Sequence, residues 1–280
     1  MGIYLRPSTL DVALDALHAR ALTIVAGGTD FYPARVGKAL SDDVLDIGAI
    51  AGLRGIQERI GDFRIGATTT WTDLVGADLP PLFDGLKLAA REIGGVQIQN
   101  AGTLCGNICN ASPAADGVPA LLALDAAVEL CSARGVEIVG LADFILGNRR
   151  TRRSPDQLVT AVIVPKPVGR TAGHFLKLGA RRYLVISIVM AAATIELDAS
   201  GRIARARVVV GACSPVAQRL PALESALCGA TPSGSLGRMA TAEHLDALTP
   251  IDDVRGSASY RTDAALTVVR RLLDELGARL

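Results

Sequence analysis

The chain has 280 residues, half of them hydrophobic, and its 29 basic and 28 acidic residues leave a formal net charge of +1. This length predicts about two domains, and the hydrophobic fraction excludes intrinsic disorder. The balanced charge provides no basic surface of the kind that binds nucleic acid, so we expect no nucleic-acid partner.

The sequence also predicts no membrane span and no metal site. The N-terminus lacks the charged and apolar regions of a secretory signal, and the longest nearly apolar run, Tyr183 to Ile195, is too short to cross a bilayer. We therefore expect a cytoplasmic location. The five cysteines contain no C-x-x-C pair, and the three histidines are far apart in sequence.

The first predicted elements are a helix and two strands. Ser8 to Asp11 has the pattern of a capping box, and apolar residues then recur at helical spacing as far as Leu17. Short strands are predicted at Thr23 to Val25 and at Val44 to Ile47.

A glycine loop, Ala26 to Asp30, directly follows the first of these strands, and Phe31 to Ala39 is compatible with a helix. A strand that enters a Gly-Gly turn before a helix directs several N–H groups to one place, where an anion is favoured. The loop contains neither G-x-G-x-x-G nor a P-loop, and a plain turn is the alternative interpretation.

The next stretch combines strands and helices. Gly55 to Ile60 and Phe63 to Gly66 predict a hairpin, and Thr70 to Asp73 has the pattern of a second capping box. A helix is predicted over Leu82 to Ile93. The only tryptophan, Trp71, is expected in the core.

A second loop, Asn100 to Pro119, is rich in small residues and short hydrogen-bonding side chains. We expect it to contribute little to the core, because such residues have little apolar area to bury. Its glycines allow backbone N–H groups to approach a phosphate, so it is interpreted as the second half of a nucleotide-cofactor site; ordinary turns are again the alternative.

After this loop, a helix is predicted over Pro119 to Leu124, and a hairpin from Ala127 to Val139. Leu158 to Val164 is apolar and β-branched, as expected of a buried strand. Pro165 to Pro167 ends regular structure and marks the predicted domain boundary.

The C-terminal part predicts a three-stranded antiparallel sheet covered by helices. Its strands and helices are expected at His174 to Leu178, Ile186 to Leu197, Ile203 to Cys213, Pro221 to Leu227, Leu236 to Leu248 and Ala258 to Leu276. The predicted fold class is α+β, with domains at 1–167 and 168–280. The first domain is divided into subdomains at about 1–53 and 54–167.

Five segments together resemble the FAD-binding medium subunit of the molybdenum hydroxylases, the xanthine dehydrogenase and carbon monoxide dehydrogenase family. They are Ala26 to Asp30, Ile65 to Thr70, Thr103 to Asn107 with Ala111 to Asp116, Lys177 to Arg182, and Asp253 to Arg261. The resemblance implies an FAD-binding domain of the vanillyl-alcohol-oxidase type, made of two α+β subdomains and followed by a C-terminal α+β domain.

The resemblance also implies a set of FAD-binding residues. They are Ile24, Val25, Ala26, Gly27, Gly28, Thr29, Asp30, Phe31, Ile93, Thr103, Gly106, Asn107, Ser112, Asp116, Val159 and Lys177. The first eight, with the amides after Thr103, would hold the pyrophosphate. The Thr103 and Asn107 side chains, with Ser112, would add donors.

The remaining positions would contact the rest of the cofactor. Asp116 would accept from a ribityl or ribose hydroxyl, Ile93 would lie against the isoalloxazine ring, and Val159 near the ring or the adenine. Lys177 would contact the flavin from the C-terminal domain. Cys105 replaces the first glycine of the family's Gly-Gly pair, and would strain the loop if it needs a positive φ.

The implied function is electron transfer within a multi-subunit oxidoreductase. A large molybdopterin subunit and a small subunit with two [2Fe–2S] clusters would be the partners, in an (αβγ)2 assembly, and FAD would reduce a terminal acceptor. No catalytic acid or base is expected in this chain. The alternatives are a structural subunit that has lost FAD and a free-standing flavin oxidoreductase.

Overall fold

The computed structural model describes residues 2–37 and 41–280, so that the end of the predicted helix at Phe31 to Ala39 lies outside the described residues. The strands are β1 (Tyr4–Leu5), β2 (Thr23–Val25), β3 (Val44–Asp46), β4 (Ile56–Glu58), β5 (Asp62–Gly66), β6 (Ala127–Ser132), β7 (Gly135–Gly140), β8 (Ile145–Gly147), β9 (Arg150–Thr151), β10 (Leu158–Pro165), β11 (Thr171–Leu178), β12 (Val189–Leu197), β13 (Ile203–Gly211) and β14 (Gln218–Arg219). The α-helices are α1 (Leu10–Ala19), α2 (Trp71–Gly76), α3 (Asp84–Glu92), α4 (Val96–Ala101), α5 (Leu104–Asn110), α6 (Gly117–Ala123), α7 (Leu141–Phe144), α8 (Pro221–Leu227) and α9 (Ala258–Gly277).

The first 53 residues contain a three-stranded parallel sheet in the order β1-β3-β2. Both predicted strands and the helix α1 are confirmed, but the first capping box is wrong. Thr9 is the N-cap of α1 and makes no side-chain cap hydrogen bond. The helix begins one residue too late for a Ser8 cap, so Asp11 is at its second position rather than the third, which a capping box requires.

Residues 54–167 contain a five-stranded antiparallel sheet in the order β4-β5-β10-β6-β7. The buried strand β10 lies at its centre, and both hairpins are confirmed. The second capping box also forms: Asp73 N donates to Thr70 Oγ1 at 3.1 Å, and Thr70 N donates to Asp73 Oδ2 at 3.0 Å.

The stretch from Asn100 to Pro119 is largely helical, not a loop, and the expectation that it contributes little to the core is wrong. Leu104, Cys105 and Ile108 share one face of α5 and are almost completely buried. Cys105 has no positive φ, so its β-carbon does not strain the backbone.

The C-terminal sheet is antiparallel and four-stranded, in the order β11-β12-β13-β14. The three long strands are confirmed, whereas the two-residue strand β14 was not predicted. The predicted helix over Leu236 to Leu248 is wrong. Two 3₁₀ turns replace it, because Ala240 and Thr241 have extended backbone and the Thr241 N–H donates to His244 Nδ1 at 3.0 Å.

The two faces of the C-terminal sheet belong to different cores. Phe175, Met190, Ala192 and Val209 join the core formed by the N-terminal residues. The opposite face, which includes Ala191 and Val210, packs with α8 and α9 in a second core. The sheet therefore lies between the N-terminal part of the molecule and its own helices; the boundary after Pro167 stays a prediction.

Candidate functional site

A cavity of about 700 Å³ lies between the part of the chain with the three-stranded sheet and the part with the five-stranded sheet, and its volume is typical of a small-molecule or cofactor site. One wall follows β2 and the first glycine loop, and the other contains parts of α4, α5 and β10. All but three of the predicted site residues line this cavity: Ile24, Val25, Ala26, Gly27, Gly28, Thr29, Asp30, Phe31, Ile93, Thr103, Gly106, Asn107 and Val159.

The first glycine loop contacts the end of α4 directly at Gly27. A β-carbon at Gly27 would lie 1.9 Å from the carbonyl oxygen of Ala101 at the end of α4, so the close approach requires glycine. Gly28 has a φ of +69°, and a β-carbon there would lie 2.5 Å from the ring of Tyr32. The glycine pair thus lets the first loop approach Ala101 and Tyr32 more closely than a residue with a β-carbon could.

Two polar side chains of the second wall differ in what they contact. Thr103 is the N-cap of α5 and its Oγ1 accepts a hydrogen bond from Gly106 N at 3.0 Å. The Oδ1 of Asn107 is buried and has no hydrogen-bond partner among the described residues. That oxygen lies beside Gly117 rather than at the cavity surface, 2.9 Å from the β-carbon position of Gly117. The backbone N–H groups of Gly27 to Asp30 line the cavity and donate to no described protein group, so the cavity fits a ligand with anionic oxygens, such as the diphosphate of FAD.

Several cavity residues were not predicted, and two arginines stand out. Arg149 and Arg153, which belong to the arginine run Arg149 to Arg153, both line the cavity. In the sequence, the clustering of arginines between Arg149 and Arg153 is the only feature that sets these two residues apart. The cavity also includes Trp71, Ile98, Cys105, Cys109, Asn110 and Leu158.

Asp116 and Lys177 lie outside the cavity lining and bind each other in a buried ion pair. Lys177 Nζ lies 2.6 Å from Asp116 Oδ2, and the two side chains are 6% and 8% exposed. Ser187 donates to the other oxygen of Asp116, and Lys177 also donates to the Glu92 carbonyl at 3.4 Å. We call Asp116, Lys177 and Ser187 the junction, because it connects the start of α6 to the C-terminal sheet.

Burial raises the pKa of the Asp116 carboxyl, and the Lys177 ammonium acts in the opposite direction. Both residues were expected at the flavin, whereas in the structure each has a protein partner. Ser112 also lies outside the lining, where its Oγ accepts from Ala114 N at 3.3 Å. Contact of these three residues with a flavin stays a prediction.

Within residues 2–37 and 41–280, no cluster of histidine, cysteine and carboxylate side chains is arranged to hold a metal ion. None of the helices described is both long and apolar enough to cross a bilayer.

Comparison with known proteins shows two matching family models. Residues 1–167 match the FAD binding domain in molybdopterin dehydrogenase, and residues 174–276 match the CO dehydrogenase flavoprotein C-terminal domain. The medium subunit of nicotine 6-hydroxylase from Paenarthrobacter nicotinovorans is 31% identical, over 99% of this chain and 97% of that protein. The medium chain of carbon monoxide dehydrogenase from Afipia carboxidovorans is 30% identical, over 91% of this chain and 88% of that protein.

A solved structure has the same fold over the whole chain. Reconstituted CO dehydrogenase from Oligotropha carboxidovorans contains a chain that matches with a TM-score of 0.89 and 27% identity, over 100% of this chain and 99% of that one. The fold and the cavity define an FAD-binding component of an oxidoreductase. The chain belongs to the molybdenum hydroxylase family, as an FAD-binding medium subunit of the carbon monoxide dehydrogenase and xanthine dehydrogenase type.

Proposed function

We propose that the cavity between the two N-terminal subdomains is the FAD site through which this subunit transfers electrons. The observation that supports this proposal is the meeting of both glycine-containing segments at one cavity, where the backbone N–H groups of Gly27 to Asp30 donate to no described protein group. Backbone donors left without a protein acceptor at a cavity wall favour an anionic ligand there.

Each wall has a separate role in this proposal. Backbone N–H groups of Gly27 to Asp30 hold the pyrophosphate, because glycine lets the backbone approach it closely. After Thr103 only the N–H group of Cys105 is available to add to them, since those of Leu104, Gly106 and Asn107 donate within the described protein. The Asn107 side chain donates from its amide Nδ2 to an oxygen of the cofactor, while Ile93 and Val159 exclude water from the ring systems of the cofactor. When bound, FAD supplies the ability to accept electrons one at a time and to donate them as a pair.

The chain acts as part of a complex. Its partners are a large molybdopterin subunit and a small subunit with [2Fe–2S] clusters, arranged as (αβγ)2, and a terminal acceptor takes the electrons from FAD. The names of the relatives, which are medium subunits or medium chains, support this assignment. The cytoplasmic location expected from the sequence is tested by cell fractionation.

The first alternative, a structural subunit without FAD, depended on strain at Cys105. That residue lies in α5 with ordinary helical backbone, so nothing at this position argues against FAD. No observation favours the second alternative, a free-standing flavin oxidoreductase.

The test is an absorption spectrum of the purified full chain, followed by acid release and chromatography of the flavin. We expect flavin bands and release of FAD, and uptake of added FAD by any chain purified without it. A colourless chain that fails to take up FAD would contradict the proposal.

A further inference from the structure

Two guanidinium groups in the cavity wall have no carboxylate partner among the described residues. Arg149 and Arg153 both line the cavity, and neither forms an ion pair there. The third arginine of the wall, Arg35, differs, because its Nε lies 2.7 Å from Asp42 Oδ2. The positive charges of Arg149 and Arg153 are therefore not neutralised within the described protein.

Arg153 is held in place by the turn that leads into β10. Its Nη1 donates to the carbonyl oxygens of Ser154 at 2.9 Å, Gln157 at 2.8 Å and, more weakly, Pro155 at 3.4 Å. Ser154 N donates to Gln157 Oε1 at 2.9 Å, which fixes the same turn. One nitrogen thus anchors the guanidinium, while Nε and Nη2 donate to no described protein group and are available to a ligand.

Arg149 is positioned at the rim of the same cavity. Its guanidinium donates to Asn110 Oδ1, and Asn110 Nδ2 donates in turn to Asp30 Oδ2 at 3.0 Å. Its own backbone has a φ of 57°, which a residue with a β-carbon rarely adopts, and its N–H donates to the Ala111 carbonyl at 2.9 Å. The hydrogen bonds hold the side chain across the opening between the two subdomains.

The charge balance of the wall favours an anion. Asp30 is the only carboxylate among the lining residues, and Asn110 already donates to it. Guanidinium groups pair strongly with phosphate oxygens, and the effect is stronger where water is partly excluded. Arg153 is half-buried whereas Arg149 is exposed, so Arg153 has the stronger influence.

We propose that Arg149 and Arg153 bind the diphosphate of FAD through their side chains, adding two charged donors to the backbone N–H groups of the first glycine loop. This inference rests on the proposed FAD site. It assigns a role to two members of the arginine run and none to the others: Arg150 is exposed outside the cavity, and Arg152 pairs with Glu137 at 3.0 Å. The run therefore provides its own control positions.

The test measures the FAD dissociation constant of the full chain at low and at high salt, for Arg153→Gln, Arg149→Gln and the controls Arg150→Gln and Arg152→Gln. We expect Arg153→Gln to weaken FAD binding about 10- to 100-fold, and Arg149→Gln by a smaller factor, as loss of charge-assisted hydrogen bonds predicts. The controls should bind like the wild type.

Salt dependence separates charge from structure. Added salt should weaken FAD binding less in Arg149→Gln and Arg153→Gln than in the wild type, because fewer charges remain to be screened. Arg153→Lys, which keeps the charge but not the fork that anchors the turn, should keep most of the salt dependence. If the changes acted only by disturbing the turn before β10, FAD affinity would instead fall equally at all salt concentrations, and it would do so in both Arg153→Gln and Arg153→Lys.

Three results would overturn the inference. They are wild-type affinity in both cavity variants, an affinity loss with unchanged salt dependence, or an equal loss in the controls. If the wild type binds FAD and both cavity variants bind it equally well, only this inference is contradicted. If the wild type itself binds no FAD, the proposed function is contradicted as well.

Discussion

The cavity and the junction are two polar regions of the molecule, and they differ in how their groups are satisfied. In the junction, the charges of Asp116 and Lys177 face each other and Ser187 completes the set. In the cavity, the backbone N–H groups of Gly27 to Asp30 donate to no group of the described protein. Removing one of two buried groups that bind each other destabilises the fold, whereas donors without a protein partner at a cavity wall indicate a ligand. Changes in the junction should therefore affect stability first, and changes in the cavity should affect FAD binding first.

The largest effect on stability is expected for Lys177→Met. This change removes one partner of a buried ion pair and leaves the Asp116 carboxylate without its counter-charge. We expect the free energy of unfolding to fall by about 3–5 kcal/mol, measured by urea denaturation of the full chain. The double variant Asp116→Asn with Lys177→Met should recover much of this loss, because no uncompensated charge remains; no recovery would show that the pair does not act as a unit.

The loss in Lys177→Met should also depend on pH. Burial already raises the pKa of Asp116, and removing the ammonium raises it further. Above this raised pKa the carboxylate is charged and the full loss is present. As the pH falls through it, the carboxyl becomes neutral and the difference from the wild type should shrink. A difference that stays constant across this range would contradict the role of the charge.

A smaller effect, which includes both stability and binding, is expected for Gly27→Ala. The added β-carbon would lie 1.9 Å from the Ala101 carbonyl oxygen, so the first loop must move away from α4. Overpacking of this kind costs about 1–3 kcal/mol of unfolding free energy, and FAD affinity should fall because the cavity wall is displaced. Gly52→Ala is the matched control, since no atom lies within 4 Å of its β-carbon position; equal effects of the two changes would argue against the close contact.

The smallest effect is expected for Asn107→Leu, and it should appear only in binding. Its Oδ1 has no partner to lose in the described protein, so the unfolding free energy of the FAD-free chain should stay the same or rise slightly. FAD binding should weaken by about 1 kcal/mol, the typical net value of one hydrogen bond. Flavin fluorescence titration measures this change. A variant that is less stable without FAD but binds FAD normally would contradict the expectation that changes in the cavity affect binding before stability.

The sequence predicts the cavity better than the junction, for a physical reason. The need for glycine at Gly27 and Gly28 is local, and a strand that ends in a Gly-Gly turn can be recognised without knowing the fold. The Asp116 to Lys177 contact joins residues 61 positions apart, and no local pattern indicates that they meet. Their placement at the flavin came from family resemblance alone.

Two further features of the structure cannot be recognised from local composition. The small residues around α5 conceal the apolar face of Leu104, Cys105 and Ile108, so a helix of the core was interpreted as a loop. The direction of Arg149 depends on a left-handed backbone conformation that a non-glycine residue rarely adopts. By contrast, the long β-branched strands were predicted correctly, because hydrophobic pattern and strand propensity agree there.

The most direct test of the central claim is amide hydrogen–deuterium exchange of the full chain with and without FAD. Exchange reports local opening along the whole backbone, so that one experiment compares the cavity with the junction. We predict slower exchange on FAD binding in residues 22–31 and 102–110, with little change around Ser187. Protection that is absent from both cavity segments, or concentrated in the C-terminal sheet, would contradict the placement of FAD in this cavity.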